Sequence, residues 1–529
     1  MKAAALALAL AATAGLACGA ETPLSAIPWL SDSLKSIPPQ PRPKPPATPG
    51  ASPAAVAAPA PAPAGPEITV SPLAPVRRDA VGMLAPETTG LPRALWGPAP
   101  ADRVRDLIRG HVDLGVPAAR GLFRRLLLAQ ADAPAAVPAE DGSGVLLARI
   151  DRLLDLGALD EAEALILAAG PETPELFLRW FDIGLLTQRA QPQCAALAGN
   201  PALSPTLPAR VFCLARGGDW NAAEITLTLG RDVGEIGDGQ EALLARFLDP
   251  VPYENDPEPP IPQPLTALDF TLREAVGLSR PNGVLPLAFL QADLDPHAPM
   301  RARVTAAERL VLAGSLPPPT LFAAYVAGAP AASGGFWDRA TAVQALDAAL
   351  DAGAPEGIAA ALDKADDALA EGGFRVAFAF DYAPTFSALD PAALPAPTRA
   401  RLAELLLLAG DPVGAARAAG PDPAPRLAAL LALARGEGAP PAAALADPRL
   451  AAAFDGLAER PAQDDAEARG QALLAEGRTG EAALEALTLL GAGPGIDPAP
   501  LRAGLHILAA AGQAPTARAI ALQTLLTPS

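Results

Sequence analysis

From about residue 98 to the end, apolar and polar positions recur with helical spacing, and the helices come in short hairpins. The recurring string is L-x-x-G-x4-A. A helix closes on Leu, Gly turns the chain, and the next helix packs through a small Ala. It stands at Leu154/Gly157/Ala162, Leu214/Gly217/Ala222, Leu407/Gly410/Ala415 and Leu474/Gly477/Ala482, with looser copies at Gly314, Gly353, Gly436 and Gly512. Glycine takes the left-handed backbone that ends a helix without a Cβ penalty, and alanine at a crossing lets two helix axes approach closely. Glycines 410, 436, 477 and 512 stand 26, 41 and 35 residues apart, the range of helix-hairpin repeats. Asp238 followed by Glu241 reads as an N-cap with a capping box and marks a further helix start.

Proline-dense breaks divide the pattern. The expected units are an N-terminal α-repeat block at 98–248, an acidic Pro-rich loop at 249–264 acting as a hinge or surface loop, a central block at 265–392 and a C-terminal block at 393–529. Half of the 529 residues are apolar but only 4% are aromatic, so the apolar content is Ala, Leu and Val, which suits close-packed helices better than sheets. The expected fold is all-α. GALDEAEAL (157–165) and GRTGEAALEAL (477–487) resemble the junction between the two helices of tetratricopeptide repeats, and the resemblance extends over most of residues 100–529. It implies an α-solenoid that binds other proteins. The large aromatic positions of that repeat are largely missing here, so irregular α/α hairpins with Ala-rich interfaces are expected rather than a regular superhelix.

The N-terminal region has a different grammar. Lys2 precedes an Ala/Leu run from Ala3 to Ala17, too short to span a bilayer, and Cys18, Gly19 and Ala20 follow. Residues 1–20 therefore read as a signal peptide cut before Glu21, with a lipid anchor at Cys18 as the competing reading. Residues 21–37 form a short amphipathic peptide: Pro28 opens a turn that carries Leu30, Leu34 and Ile37 on one face with Trp29 alongside. It either docks into a groove or stays an unordered tail. Residues 38–97 are expected to be a disordered Pro/Ala-rich tether followed, from residue 67, by an extended segment lying along the body and ending near Trp96. The tether proper, 38–66, reaches roughly 90 Å at about 3.1 Å per residue. No later stretch approaches 18 uninterrupted apolar residues, so no transmembrane span is expected after signal cleavage, and the expected location is periplasmic or secreted.

Charge and chemistry then narrow the function. A net charge of −18 repels phosphate backbones, so nucleic acid is excluded as a partner class. Cys194 and Cys213 stand at mirror positions about the Pro-rich connection 200–208; antiparallel helices joined there place the two sulfurs at one height, and a disulfide is expected. Closing that loop is worth roughly 3 kcal/mol in the chain-entropy model. Two sulfurs with no His nearby do not complete a metal site, and no metal or cofactor is expected. His111, His297 and His506 are scattered, with His506 in an apolar helix as a packing residue, and Ser143 lacks a nucleophile-elbow context. Asp363, Asp366 and Asp367 read as an exposed helix face, and Asp249, Glu254, Asp256 and Glu258 as a solvated loop.

Residues 150–247 are the best-specified block and the expected main binding surface. Trp180 and Phe181, with Phe177, make an aromatic knot there. Trp220 is read first as core beside Cys213, its alternative being an exposed anchor on a turn. Trp29, Leu30, Leu34, Trp180, Phe181 and Trp220 are the candidate partner-binding residues, and no catalytic residue is assigned. The expected function is a non-enzymatic exported scaffold or adaptor binding another envelope protein. The alternatives are a peptidoglycan-binding or -processing factor and an accessory of secretion or motility machinery. Alkylation of the denatured chain with and without reductant tests the cysteine reading: reduction is expected to add two alkyl groups, and none if the thiols are free.

Overall fold

The computed structural model describes residues 77–528 apart from 111–113, 135–143, 205, 282–283 and 439–445. The expected signal and tether, with Cys18, Ala20, Trp29, Leu30 and Leu34, lie outside the described residues, as do His111 and Ser143. Among the described residues the protein is all-α: 24 α-helices with 3-10 turns between them, and an isolated bridge from Leu84 to Ala129 as the strand-like pairing.

The hairpin joints follow one rule. Gly157, Gly410 and Gly477 have φ of 75°, 82° and 75°, and each immediately precedes the N-cap of the next helix. Five residues after each glycine, Ala162, Ala415 and Ala482 are fully buried at the helix crossing. Gly314, Gly353, Gly436 and Gly512 also take the left-handed turn. The expectation at Gly217 needs correction. Its φ is −78°, and Gly218, at 86°, makes the turn instead. The cause is the cap: Asp219 accepts the Ala222 N–H at 3.1 Å and so fixes the next helix as Trp220–Asp232, which leaves residue 218 as the one before the cap. The packing alanine shifts with it, from Ala222 to the fully buried Ala223. Asp238 likewise stands one residue inside its helix, with Gly237 as the cap.

The acidic loop at 249–264 is clamped at both sides, which argues against a hinge. Arg246 donates to the Pro257 carbonyl at 3.0 Å and lies over the Tyr253 ring, while Arg273 donates to the Pro259 carbonyl at 3.0 Å and pairs with Glu258. Glu258, though exposed, also accepts from the Ser279 hydroxyl at 2.9 Å, so it serves the fold while facing solvent. Asp366 departs from its expected exposure too: it is buried, bridging Arg375 at 2.8 Å and Arg401 at 3.2 Å, while Asp363 and Asp367 hold Arg401 from the surface side.

Residues 77–97 are more structured than an extended strap. They contain a 3-10 turn at Arg78–Ala80 and a one-turn helix at Pro86–Thr89. Buried Asp79 accepts the Leu146 N–H at 2.7 Å, and buried Arg149 donates to the carbonyls of Leu127, Val81 and Ala129. Further on, the segment meets the C-terminal repeats. The Gly480 N–H donates to the Leu95 carbonyl at 2.8 Å, and Gln513 donates to the Gly90 carbonyl at 2.9 Å. Arg103 pairs with Glu481 at 3.1 Å and Glu485 at 3.0 Å. The Ala118 N–H donates to Gln523 at 2.7 Å, and the Gly115 N–H to the Gly491 carbonyl at 3.2 Å. The first and last helices are thus neighbours, and the three expected blocks share one hydrophobic core.

Gly115 marks the tightest point of this closure, since a Cβ there would lie 2.2 Å from the Gly493 Cα. Gly115→Ala is expected to destabilise by about 1–3 kcal/mol through overpacking. Gly121→Ala, mid-helix with nothing within 4 Å of the new methyl, is expected to be neutral or stabilising by up to about 1 kcal/mol. Urea melts of both variants measure the contrast.

Candidate binding surface

The surface is built on four consecutive helices. In Pro174–Leu186, Thr173 caps the N-terminus by accepting the Leu176 N–H, and apolar side chains one turn apart point inward. Phe177 and Phe181 stack at 6.1 Å, Phe181 meets Phe212 edge-on at 6.1 Å, and Phe212 stacks on Phe247 at 5.6 Å. The aromatic knot is therefore the core of the region. Trp180 and Phe181 are buried, with the Trp180 indole N–H satisfied by Glu163 at 3.1 Å, so neither side chain is presented to a partner.

Helices Gln191–Gly199 and Leu207–Arg216 form the hairpin anticipated from the cysteine spacing. The Cys194 and Cys213 sulfurs lie at bonding distance, with their Cα atoms 5.1 Å apart. Beside this cross-link opens a cleft of about 1040 Å³. Phe212, Phe247 and Phe270 contribute its aromatic lining, and Gln188 and Arg216 stand at its edge, both exposed. Gln188 connects the first of these helices to the hairpin with φ at 57°, the one non-glycine among the described residues in the left-handed region.

The fourth helix, Trp220–Asp232, has two apolar faces. Ala223, Leu227 and Gly230 face inward, and Gly230 is pressed so closely by Ile236 that a Cβ would sit 2.6 Å from it. On the opposite side Ile225, Leu229 and Val233, at i, i+4 and i+8, are 68%, 57% and 59% exposed. Trp220, at the start of the helix, is 50% exposed, which overturns its placement in the core. The one-residue shift at Gly218 accounts for this: it makes Trp220 the first residue of the helix, clear of Cys213. The outward stripe was legible as an i, i+4, i+8 pattern. It was overlooked because small residues, Ala223 and Gly230, mark the true inner face. Around the stripe, Glu224, Glu235 and Asp238 are exposed, and none of them pairs with a cation among the described residues.

Titratable groups elsewhere are committed to structure. Glu467, fully buried, accepts from Arg460 at 2.8 and 2.9 Å, from Arg502 at 3.1 Å and from the Gln463 N–H at 2.7 Å. These donors, Arg460 foremost, hold its carboxyl down to about 2. Burial pushes neighbouring His506 below the usual imidazole range, with its Nε2 2.9 Å from the Gln471 amide. That arrangement is an ionised carboxylate and a neutral packing imidazole, an ion-pair clamp across three helices. His297 is exposed beside Asp295 at 2.9 Å. Among the described residues no group of three His, Cys, Asp or Glu is placed to hold a metal ion. Asp182 is not committed in this way: its carboxyl is pushed up to about 7 by burial while Arg179, which faces it, is engaged by Asp151 at 2.5 and 3.0 Å.

What the fold defines is a class: an all-α protein of stacked helix hairpins, with a cross-linked hairpin flanked by a cleft and an unpaired apolar helix face. No protein-family model, no curated protein and no solved structure matches the chain.

The two perturbed carboxyls predict opposite pH behaviour. Asp182 binds its proton more tightly folded than unfolded, so its ionisation costs stability from about pH 4 upward and in full above about pH 7. Asp182→Asn is expected to raise the melting temperature at pH 8 and to leave it unchanged near pH 4. Glu467 contributes stability above about pH 4.5 that is lost as pH falls toward 2. Glu467→Gln is expected to cost about 1–3 kcal/mol at pH 7, since it removes the buried charge facing Arg460 and Arg502, which Asp455 and Asp464 still hold.

Proposed function

We propose that the protein is a non-enzymatic exported scaffold or adaptor, a tetratricopeptide-like stack of helix hairpins that binds another envelope protein. The observation that carries this reading is the outward face of the Trp220–Asp232 helix, where Ile225, Leu229 and Val233 form an exposed apolar stripe, with half-exposed Trp220 at the start of the same helix. Scattered surface hydrophobics are ordinary, but a stripe at helical spacing is the form that helix-in-groove recognition takes. The unpaired Glu224, Glu235 and Asp238 around it favour a partner whose apolar ridge is flanked by Lys or Arg. The non-enzymatic half of the reading is supported by the ion pairs that immobilise Glu467, Asp366 and their arginines.

Export is inferred from Lys2, the apolar run to Ala17 and the small residues to Ala20. A bonded Cys194–Cys213 pair fits an oxidising compartment, periplasmic or extracellular, and lipidation at Cys18 would hold the same body at a membrane surface. No helix among the described residues is long and apolar enough to cross a membrane.

The test is affinity capture from envelope extracts with three baits: the native protein, Ile225→Glu/Leu229→Glu, and Val413→Glu as a control at an exposed site elsewhere. A specific partner is expected with the native and control baits and lost by at least about 30-fold with the stripe variant, as for a central interface anchor. The three baits should melt at the same temperature. Identical capture by all three would refute docking at this face.

A further inference from the structure

We propose that the cleft beside the Cys194–Cys213 hairpin is a binding site for a long-chain monocarboxylate, a fatty acid whose alkyl chain lies against the aromatic lining and whose head group meets Arg216. The site is distinct from the outward helix face and goes beyond protein docking.

Its size comes first. At about 1040 Å³ the cleft is at the upper end of the range of small-molecule sites, roughly 300–1,000 Å³. Its lining is apolar where it is deep: Phe212 and Phe270 are buried, Phe247 half-buried, and the half-buried cross-link forms part of the wall. Apart from the turn at 188–190 and the first turn after it, the surrounding backbone belongs to helices whose N–H and C=O groups are bonded along their own axes. An extended peptide would find no ladder of backbone partners there, whereas a hydrocarbon asks for none.

The charge is the second observation. Arg216 lies one helical turn beyond Phe212 on the same face, is exposed, and has no carboxylate partner among the described residues. The lining's carboxylate, Glu274, is held by Arg280 through contacts of 2.6 and 2.7 Å, and its other arginine, Arg189, pairs with Asp160 at 3.1 Å. What faces the cleft uncompensated is a cation, in a chain whose net charge is −18. A guanidinium offers a carboxylate two parallel N–H donors.

The third observation is backbone strain. Among the described residues, 18 of the 19 with positive φ are glycines, and the nineteenth, Gln188, lines this cleft. Glycine would take that turn without penalty. The turn closes the helix, with the Arg189 N–H donating to the Gly184 carbonyl at 2.7 Å, and it sets an exposed amide side chain on the cleft lining as a candidate second donor.

Isothermal titration of the full chain with dodecanoate, below its critical micelle concentration, tests the assignment. One-to-one binding is expected, weakened about tenfold or more by Arg216→Glu and by Ala198→Trp, which blocks the mouth from an exposed helix position. Gln188→Gly is expected to weaken binding several-fold while raising the melting temperature. Dodecyltrimethylammonium should bind at least about tenfold more weakly than dodecanoate. Leu229→Glu, on the outward helix, should leave dodecanoate affinity unchanged, which separates this site from the docking face. Absence of binding, equal affinity for the two head groups, or full affinity in Arg216→Glu would each overturn the proposal.

Discussion

The whole body depends on how closely two helices approach at each hairpin joint. At the joints of Gly157, Gly218, Gly410 and Gly477 a glycine in the left-handed conformation ends one helix, the next residue caps the following helix, and a buried alanine five positions on lets the axes approach closely. With so few aromatic residues, the chain has little bulk to fill wide gaps between helices. Its stability must come from many close crossings rather than a few large side chains, and close packing of that kind tolerates neither voids nor extra methyl groups. The same constraint sets the surface. Where the inner face of a helix is mostly Ala223 and Gly230 with Leu227 alone for bulk, Ile225 and Leu229 on that helix face outward.

Arginine supplies the second layer of cohesion. Buried and half-buried guanidinium groups tie separate elements together: Arg149 to three carbonyls, Arg375 to Asp366 and Glu404, Arg460 and Arg502 to Glu467. Each makes several directed bonds from one rigid fork, which a lysine does not do. Arg216 differs from these groups in lining a cleft, exposed and with no carboxylate partner among the described residues. A half-buried carboxyl with no committed donor, such as Asp182, is a local cost carried by the rest of the fold.

Local features were legible in the sequence and long-range ones were not. Helical periodicity, the glycine joints and the mirror placement of Cys194 and Cys213 each depend on residues within a hairpin, so spacing alone reads them. The turn at Gly217–Gly218 was ambiguous by one residue because two glycines compete, and the Asp219 cap decides between them. That single residue moved Trp220 from an expected core position to the surface. Trp180 and Phe181 were visible as a cluster, but apolar clusters do not announce whether they face inward. Asp366 looks like a surface residue until Arg375 and Arg401 are placed around it by helices that sequence spacing does not locate. The meeting of the first and last helices has no sequence signature at all.

That meeting also orders events in time. Arg103 finds Glu481 across 378 residues, and Leu95 and Trp96 are sealed by backbone near residue 480. A chain made from its N-terminus carries those side chains uncovered until nearly all of it has emerged. The flank around Leu95 and Trp96 is covered only by a partner hundreds of residues further on, and a chain that has not yet reached it offers holdase chaperones and proteases an apolar surface that the folded body hides.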